Sequence, residues 1–282
     1  MNEKAGEEMK EISVAMIGTK FMGRAHGHGY HTVHSIFPDA PKPRMKVICG
    51  RDRAGAEAMA QRFGWEEVST DWKEVVRRKD IDAVDISTPG DLHAPIAIAA
   101  AEAGKHILCE KPLANTLAEA QAMTEAVRKA GVVHAVQFNY RRVPALVLAR
   151  QIIDEGRLGT IRHFRARYLQ EWAMSEDLPA LWRFDSSSAG SGSLGDLGAH
   201  IVDLCHYLAG DVTEVTGMVE TFIKERKALD GQGKKPVTVD DAALFLGRLH
   251  NGALASFEAT RFAPGRKNYN ALEINGSKGS LV

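Results

Sequence analysis

Cysteine is scarce in this chain: Cys49, Cys109 and Cys205 are the only three in 282 residues, and none stands at C-x-x-C spacing. A disulfide-stapled scaffold is therefore excluded. The first two close apolar runs that read as buried strands, so a reducing cytoplasm is the expected compartment. An excess of one charge is missing too, with 36 basic residues against 36 acidic ones, which leaves no broad field for nucleic acid or anionic lipid. Aromatic residues make up only 7% and are too scattered for a base-stacking surface. No segment is apolar for long enough to span a membrane, and residues 1–11 are charged and carry no signal-like stretch. They read as a flexible arm, with Met9 as an alternative start. What is present is a globular composition, 44% hydrophobic and 26% charged, of one or two domains suited to small, locally recognised ligands.

Residues 12–17 form a short β-rich run, Gly18-Thr19-Lys20-Phe21-Met22-Gly23 follows, and residues 24–36 have helix length. Strand, glycine turn and helix in that order bring backbone N–H groups and a helix N-terminus against a pyrophosphate. Gly18, Lys20, Phe21, Met22 and Gly23 are accordingly candidate cofactor-binding residues. The middle glycine of the usual G-x-G-x-x-G is replaced by Lys20, which either swings out and pairs with phosphate or obstructs the site. Residues 45–49 read as a second strand, 54–63 as a helix and 81–86 as a third strand, an alternation that implies a parallel sheet. After the second strand stand Gly50, Arg51 and Asp52, where an acidic residue would bind the ribose hydroxyls of NAD. Arg51 leans the choice toward NADP, Asp52 keeps NAD open if the register moves, and both are alternatively solvated loop residues.

Thr88, Pro89 and His93 follow the third strand and belong at the carboxyl edge of such a sheet, where ligands bind, with a helix expected over 94–103. Residues 106–109 are the next strand and run into Glu110-Lys111-Pro112. Residues 195–208 read as a helix on which Asp196 and His200, four apart, share a face. Histidine titrates near neutrality and suits removal of a hydroxyl proton as hydride leaves the adjacent carbon. Lys111, Asp196 and His200 are thus the candidate catalytic set, and the competing reading is a surface lysine, a capping aspartate and a core histidine. Asp203 and His206 extend the helix, but ligands along one straight helix do not surround an ion, and no metal is expected there or at His26, His28, His31 and His34. Those four read as lining the exposed side of the first helix or approaching the cofactor.

Taken together, Gly18 to Gly23, Thr88-Pro89 with His93, residues 103–106 running into Cys109-Glu110-Lys111-Pro112, residues 138–142, and Gly195-Asp196 with His200 resemble the Gfo/Idh/MocA family of nicotinamide-dependent sugar and cyclitol oxidoreductases over nearly the whole chain. Residues 138–142, 168–172 and 182–184 further resemble its branch containing levoglucosan dehydrogenase and glycoside 3-dehydrogenases. The resemblance implies an NAD or NADP cofactor, a sugar or polyol substrate, a Lys111 that touches the reacting hydroxyl and the cofactor ribose, and a cis bond between Lys111 and Pro112. Asn139, Tyr140 and Arg141 are candidate donors to sugar hydroxyls, while Trp172 and Trp182 are candidate covers for an apolar sugar face or, equally, simple core. A non-catalytic cofactor- or sugar-binding relative is the alternative, suggested by Lys20 and Gly90.

The expected architecture is α/β: a Rossmann dinucleotide-binding domain over residues 12–138, then an α+β substrate and oligomerisation domain over 139–282 with a large, mainly antiparallel sheet. Its strands read at residues 161–169, 212–223, 241–249 and 253–261, with a hairpin at Asn251-Gly252 and another turn at Asn275-Gly276. Residues 186–193 read as a mobile Ser/Gly loop and 224–237 as a charged surface loop. Family members continue past Val282, so the second domain is expected to be incomplete, with an unpaired edge and an exposed apolar face that self-association would cover. A homo-oligomer is expected.

Overall fold

The computed structural model describes residues 11–282. The expected N-terminal arm and Met9 lie outside the described residues, except that Glu11 already belongs to the first strand. The chain divides into two compact units, one ending at Gln137 and the other starting at Phe138.

The first unit is a six-stranded, wholly parallel sheet of β1 (Glu11–Ile17), β2 (Lys42–Cys49), β3 (Glu67–Ser69), β4 (Ala83–Ile86), β5 (His106–Cys109) and β6 (His134–Val136), in the order β3-β2-β1-β4-β5-β6. Five helices connect the strands: α1 (Phe21–Ile36), α2 (Arg53–Phe63), α3 (Trp72–Arg77), α4 (His93–Glu102) and α5 (Leu117–Ala130). Helices pack on both faces of the sheet, which is why the central strands read as near-continuous apolar runs. Ala15, Ile17, Val84 and Ile86 pack toward Ala97, Ala100, Met123 and Val127. Val14, Met16 and Ile48 pack with Met59 and Trp65. The strand order reverses between β1 and β4, which marks the carboxyl edge beside them as the place where such sheets take ligands. Strand β3 and helices α3 and α5 stand outside the elements expected from the sequence. The last of these carries a legible signal, a capping box in which Thr116 and Glu119 each bond the other's backbone N–H.

The second unit is built on a six-stranded sheet of β7 (Ile161–Leu169), β8 (Val212–Glu220), β11 (Ala242–Leu249), β12 (Leu254–Thr260), β13 (Tyr269–Gly276) and β14 (Ser280–Leu281), with β9 (Glu225–Lys227) and β10 (Lys234–Pro236) as a separate hairpin. Its order is β14-β13-β7-β12-β11-β8, antiparallel except for the parallel pair β7 and β12. Helices α6 (Pro144–Asp154), α7 (Ser186–Ala189) and α8 (Ala199–Leu208) complete it. Phe164, Ala166, Tyr168, Phe257 and Ala259 turn one sheet face onto Ile201, Cys205 and Leu208 of α8. On the other face Met218, Leu244, Leu246 and Leu254 are exposed, and the register sets Met218 beside Leu244.

Three local expectations need correction. Residues 224–237 are not a solvated loop, because Arg226 is 1% exposed and its guanidinium donates to Ser175 O at 2.7 Å and Ala173 O at 2.5 Å while lying 4.2 Å over the Phe184 ring. Residues 186–193 hold a helical turn, and Asp240 pins their end by accepting from Gly192 N, Ser193 Oγ and Leu194 N at 2.6–2.7 Å. Asn275 and Gly276 close β13, and the turn comes after them, with Gly276 N donating to Gly279 O at 2.8 Å. Gly276 serves close approach: a Cβ there would stand 2.1 Å from Leu158 O.

Truncating Arg226 to alanine removes its hydrogen bonds to the carbonyls of Ala173, Ser175 and Leu178 and empties the space over Phe184, so we expect unfolding free energy to drop by about 3 kcal/mol. Chemical denaturation checks this, and a change below about 0.5 kcal/mol would show that the hairpin is held by something else.

Candidate functional site

In the first unit the glycine turn is built by steric necessity. Gly18 has φ +132°, and a Cβ there would lie 2.5 Å from Ser87 O; its N–H donates to Cys49 O at 2.9 Å, tying the turn to β2. A Cβ on Gly23 would lie 2.2 Å from Gly18 O, so α1 can start so near the turn only with glycine at that place. Lys20 precedes α1 and is exposed, with no side-chain cap on the helix and no acidic residue in its first turn. Phe21 and Met22 form that first turn, and its amides remain suited to an anion. The helix starts three residues earlier than the apolar pattern implied.

Across the sheet edge, Thr88 Oγ1 is buried without a hydrogen-bond partner among the described residues, an orphaned hydroxyl at the place where a nucleotide is expected. Pro89 leads into the short helical turn Gly90–Leu92. His93, expected beside the cofactor, is 1% exposed. Its ring nitrogens lie 2.9 Å from Pro112 O and 3.1 Å from Thr88 O, so it fastens two edge loops together from below. Lys111 and Pro112 are joined by a cis bond. Glu110 is 5% exposed and its Oε2 accepts from Lys111 N at 3.1 Å.

One group in this edge escaped the motif reading. His26, one of four histidines in α1, turns inward: Nδ1 is 3.0 Å from both oxygens of Asp85, and Nε2 is 3.0 Å from Glu110 Oε1. Tyr30 OH donates to Asp85 Oδ2 at 2.7 Å. Burial works against a charged ring, yet the hydrogen bonds to Asp85 and Glu110 outweigh it and raise the His26 pKa to about 10. Burial, aided by Asp85, pushes the Tyr30 hydroxyl well above its ordinary value.

In the second unit Asp196 lies in a π-helical turn, Leu194–Gly198, that runs directly into α8. The expected single α-helix from 195 to 208 is therefore wider at its start, a distortion common at functional sites. Asp196 Oδ2 accepts from Arg261 Nη2 at 3.0 Å, and the same guanidinium nitrogen donates to Gly192 O at 3.1 Å. Arg261 is 1% exposed and lies 5.0 Å over the Trp172 ring. His200 is 7% exposed, with the rings of Tyr140 at 4.6 Å and of Phe138 and Tyr168 at 5.9 Å. Tyr140 and Tyr168 share a hydrogen bond at 2.6 Å, and Tyr168 also donates to Asn268 Oδ1 at 2.7 Å. Burial and then Tyr140 raise the Tyr168 pKa far above the usual phenol range.

The structure gives Arg141, expected to contact sugar, a partner within the fold. Its guanidinium forms a two-pronged pair with Asp203 at 2.8 and 2.5 Å and lies 5.3 Å over Tyr207, while the side chain stays 42% exposed and Asp203 is buried. Asn139 is exposed. Trp172 is packed against Phe184 at 5.7 Å, whereas Trp182 is 41% exposed with Arg183 stacked at 4.4 Å. Sequence reasoning missed Arg261, Asp240, Asp85 and His26 because their partners lie 46 to 84 residues away along the chain.

A parallel sheet with helices on both faces and a glycine turn at its switch point is the architecture of dinucleotide-binding domains. Residues 12–138 match the family described as "Oxidoreductase family, NAD-binding Rossmann fold", and residues 146–282 match the "GFO/IDH/MocA C-terminal domain". The chain belongs to the Gfo/Idh/MocA oxidoreductase family. It is 46% identical to levoglucosan dehydrogenase of Pseudarthrobacter phenanthrenivorans over 97% of this chain and 74% of that protein. An oxidoreductase domain protein from Kribbella flavida superposes with a TM-score of 0.93 at 51% identity, over 97% of this chain and 73% of that one. A levoglucosan dehydrogenase in complex with NADH and levoglucosan superposes equally well, TM-score 0.93 at 47% identity, over 96% and 72%.

The lean toward NADP drawn from Gly50 and Arg51 is not supported, since that related complex holds NADH. Gly50 has a local reason instead: Thr19 fills the space beside it, with Cγ2 2.6 Å from where a Cβ would be.

Replacing Asp240 with alanine removes three hydrogen bonds from the turn that presents Asp196. We expect amide exchange over residues 192–198 to accelerate at least about tenfold, the equivalent of about 1.4 kcal/mol of local opening. Unchanged exchange would mean that Arg261 alone holds the turn.

Proposed function

We propose that this protein oxidises a ring hydroxyl of an anhydrosugar, with levoglucosan the first substrate to test and NAD the hydride acceptor. The observation that carries this reading is likeness to a levoglucosan dehydrogenase over 97% of the chain at 46% identity, spanning both units. The cofactor fits the residues present: Gly18 and Gly23 keep the turn tight, the first-turn amides of α1 suit a pyrophosphate, and the orphaned Thr88 hydroxyl offers a polar contact. Glu110 and Lys111 would contribute from the end of β5. Bound there, NAD supplies an acceptor for the hydride leaving the carbon that carries the reacting hydroxyl.

The chain's own residues supply the rest. Lys111 donates a hydrogen bond to the hydroxyl oxygen and stabilises it as negative charge develops. A ring nitrogen of His200 accepts the hydroxyl proton, since imidazole is the side chain whose ordinary pKa lies nearest neutrality. Asp196, its carboxylate oriented by Arg261, accepts from a sugar hydroxyl and fixes the ring. The half-exposed Trp182 gives an apolar wall for a sugar face. Buried, unpaired Cys49, Cys109 and Cys205 suit a reducing cytoplasm. The exposed apolar row of Met218, Leu244, Leu246 and Leu254 suits cover by a second copy of the chain.

Steady-state assays with levoglucosan are expected to show turnover with NAD and to lose about a thousandfold in kcat/KM in Lys111→Ala and in His200→Ala. Arg51→Ala is expected to change NAD affinity less than about threefold. NAD binding without oxidation of levoglucosan, other sugars or cyclitols, unaltered by either alanine substitution, would overturn the reading in favour of a binding module. For assembly, light scattering is expected to show an oligomer that Leu244→Lys with Leu246→Lys dissociates; an unchanged mass would move the interface elsewhere.

A further inference from the structure

His26 lies in α1, whose N-terminus faces the glycine turn, yet its ring makes its hydrogen bonds on two other elements, Asp85 in β4 and Glu110 at the end of β5. Both carboxylates are buried, at 1% and 5% exposure. Each already accepts a second donor: Asp85 takes the Tyr30 hydroxyl at 2.7 Å, and Glu110 takes Lys111 N at 3.1 Å. A neutral imidazole has one N–H and one lone pair, and the lone pair would then face a carboxylate oxygen at 3.0 Å. Against two ionised carboxylates, the imidazolium is the form of the ring that satisfies both sides.

We infer that His26 is a positioning residue for the reaction, its imidazolium clamping Glu110 and thereby setting the Glu110-Lys111 peptide in register with the N-terminal turn of α1. This inference rests on the role given to Lys111 under the proposed function. The groups facing the ring are Asp85 from β4, Glu110 after β5 and Tyr30 from α1 itself. His106 and His134 share with it the lining of an apolar cavity of about 550 Å³. His106 Nδ1 accepts from Val133 N at 3.2 Å and His134 Nδ1 lies 3.1 Å from Val132 O, so these two histidines are engaged with backbone and Asp85 and Glu110 are the carboxylates on the ring. The raised pKa of His26, about 10, exceeds its unfolded value, so the clamp is fully present below about pH 6.5 and is lost as pH rises through about 10.

Two substitutions separate charge from shape. His26→Gln removes the cation, while His26→Arg keeps one at every pH, and the adjoining cavity gives the larger side chain room. With levoglucosan and NAD, we expect His26→Gln to lower kcat about thirtyfold with the sugar KM within about threefold, and to abolish an alkaline fall in kcat near pH 10. His26→Arg is expected to recover kcat to within about fivefold and to stay flat through that pH. A second readout needs no turnover: competitive acylation of the Lys111 amine, followed by mass spectrometry against exposed Lys73, is expected to change at least about threefold in His26→Gln. Wild-type kcat in His26→Gln, an arginine variant no better than the glutamine one, or unchanged Lys111 labelling in a folded variant would each overturn the inference. Lys111→Ala run in parallel distinguishes the two failures. If it is fully active, the reading of Lys111 falls; if it is inactive while His26→Gln is normal, only the clamp falls.

Discussion

Two buried carboxylates, Asp85 on β4 and Glu110 just past the end of the adjacent β5, make the demand that His26 answers in the first unit. Asp85 and Glu110 have almost no access to water, and ionised groups in such a place are costly unless they are paired and hydrogen-bonded. His26 meets both at once, and by doing so it fixes the distance between α1 and the carboxyl edge of the sheet. The same edge carries the glycine turn, whose own geometry is set by Gly23 resting against Gly18, and the Glu110-Lys111 step. A single charge-assisted contact therefore ties α1 to β4 and to the segment that follows β5.

The second unit solves a comparable problem with different chemistry. Asp196 must be held at the start of a helix by a π turn that an α-helical pattern would not contain. Arg261 grips its carboxylate from β12's end, and Asp240 grips the backbone just before it. Aromatic rings then enclose His200. Backbone fixed from several sides keeps the orientation of Asp196 and His200 narrow, the condition that the proposed acid–base role of these groups requires.

Legibility in the sequence followed the range of the interactions. The run from β1 through Gly18 and Gly23 into α1 was readable because each signal sits within a dozen residues, and the Asn251-Gly252 hairpin was readable for the same reason. So was the descent of β5 into Glu110 and Lys111. The four histidines of α1 looked alike as a string; only the fold shows that His26 turns inward while His28 and His31 stay exposed. Arg226 disguised a buried anchor as a surface charge, because composition reports charge and not the carbonyls that await it. Arg141 hid a partner rather than a role: its ion pair with Asp203, 62 residues on, has no local signal. Arg51 suggested NADP, while the neighbouring Gly50 answers to Thr19, whose side chain occupies the space beside it.

The clamp makes one statement that can be read on the ring itself. Nitrogen-15 resonances of the His26 imidazole, recorded at about pH 8 where an ordinary histidine is neutral, report directly whether one or both ring nitrogens carry a proton. Two protonated nitrogens that persist until about pH 10 are the expected result. A single tautomer with a lone pair at Nδ1 or Nε2 at that lower pH would contradict the account.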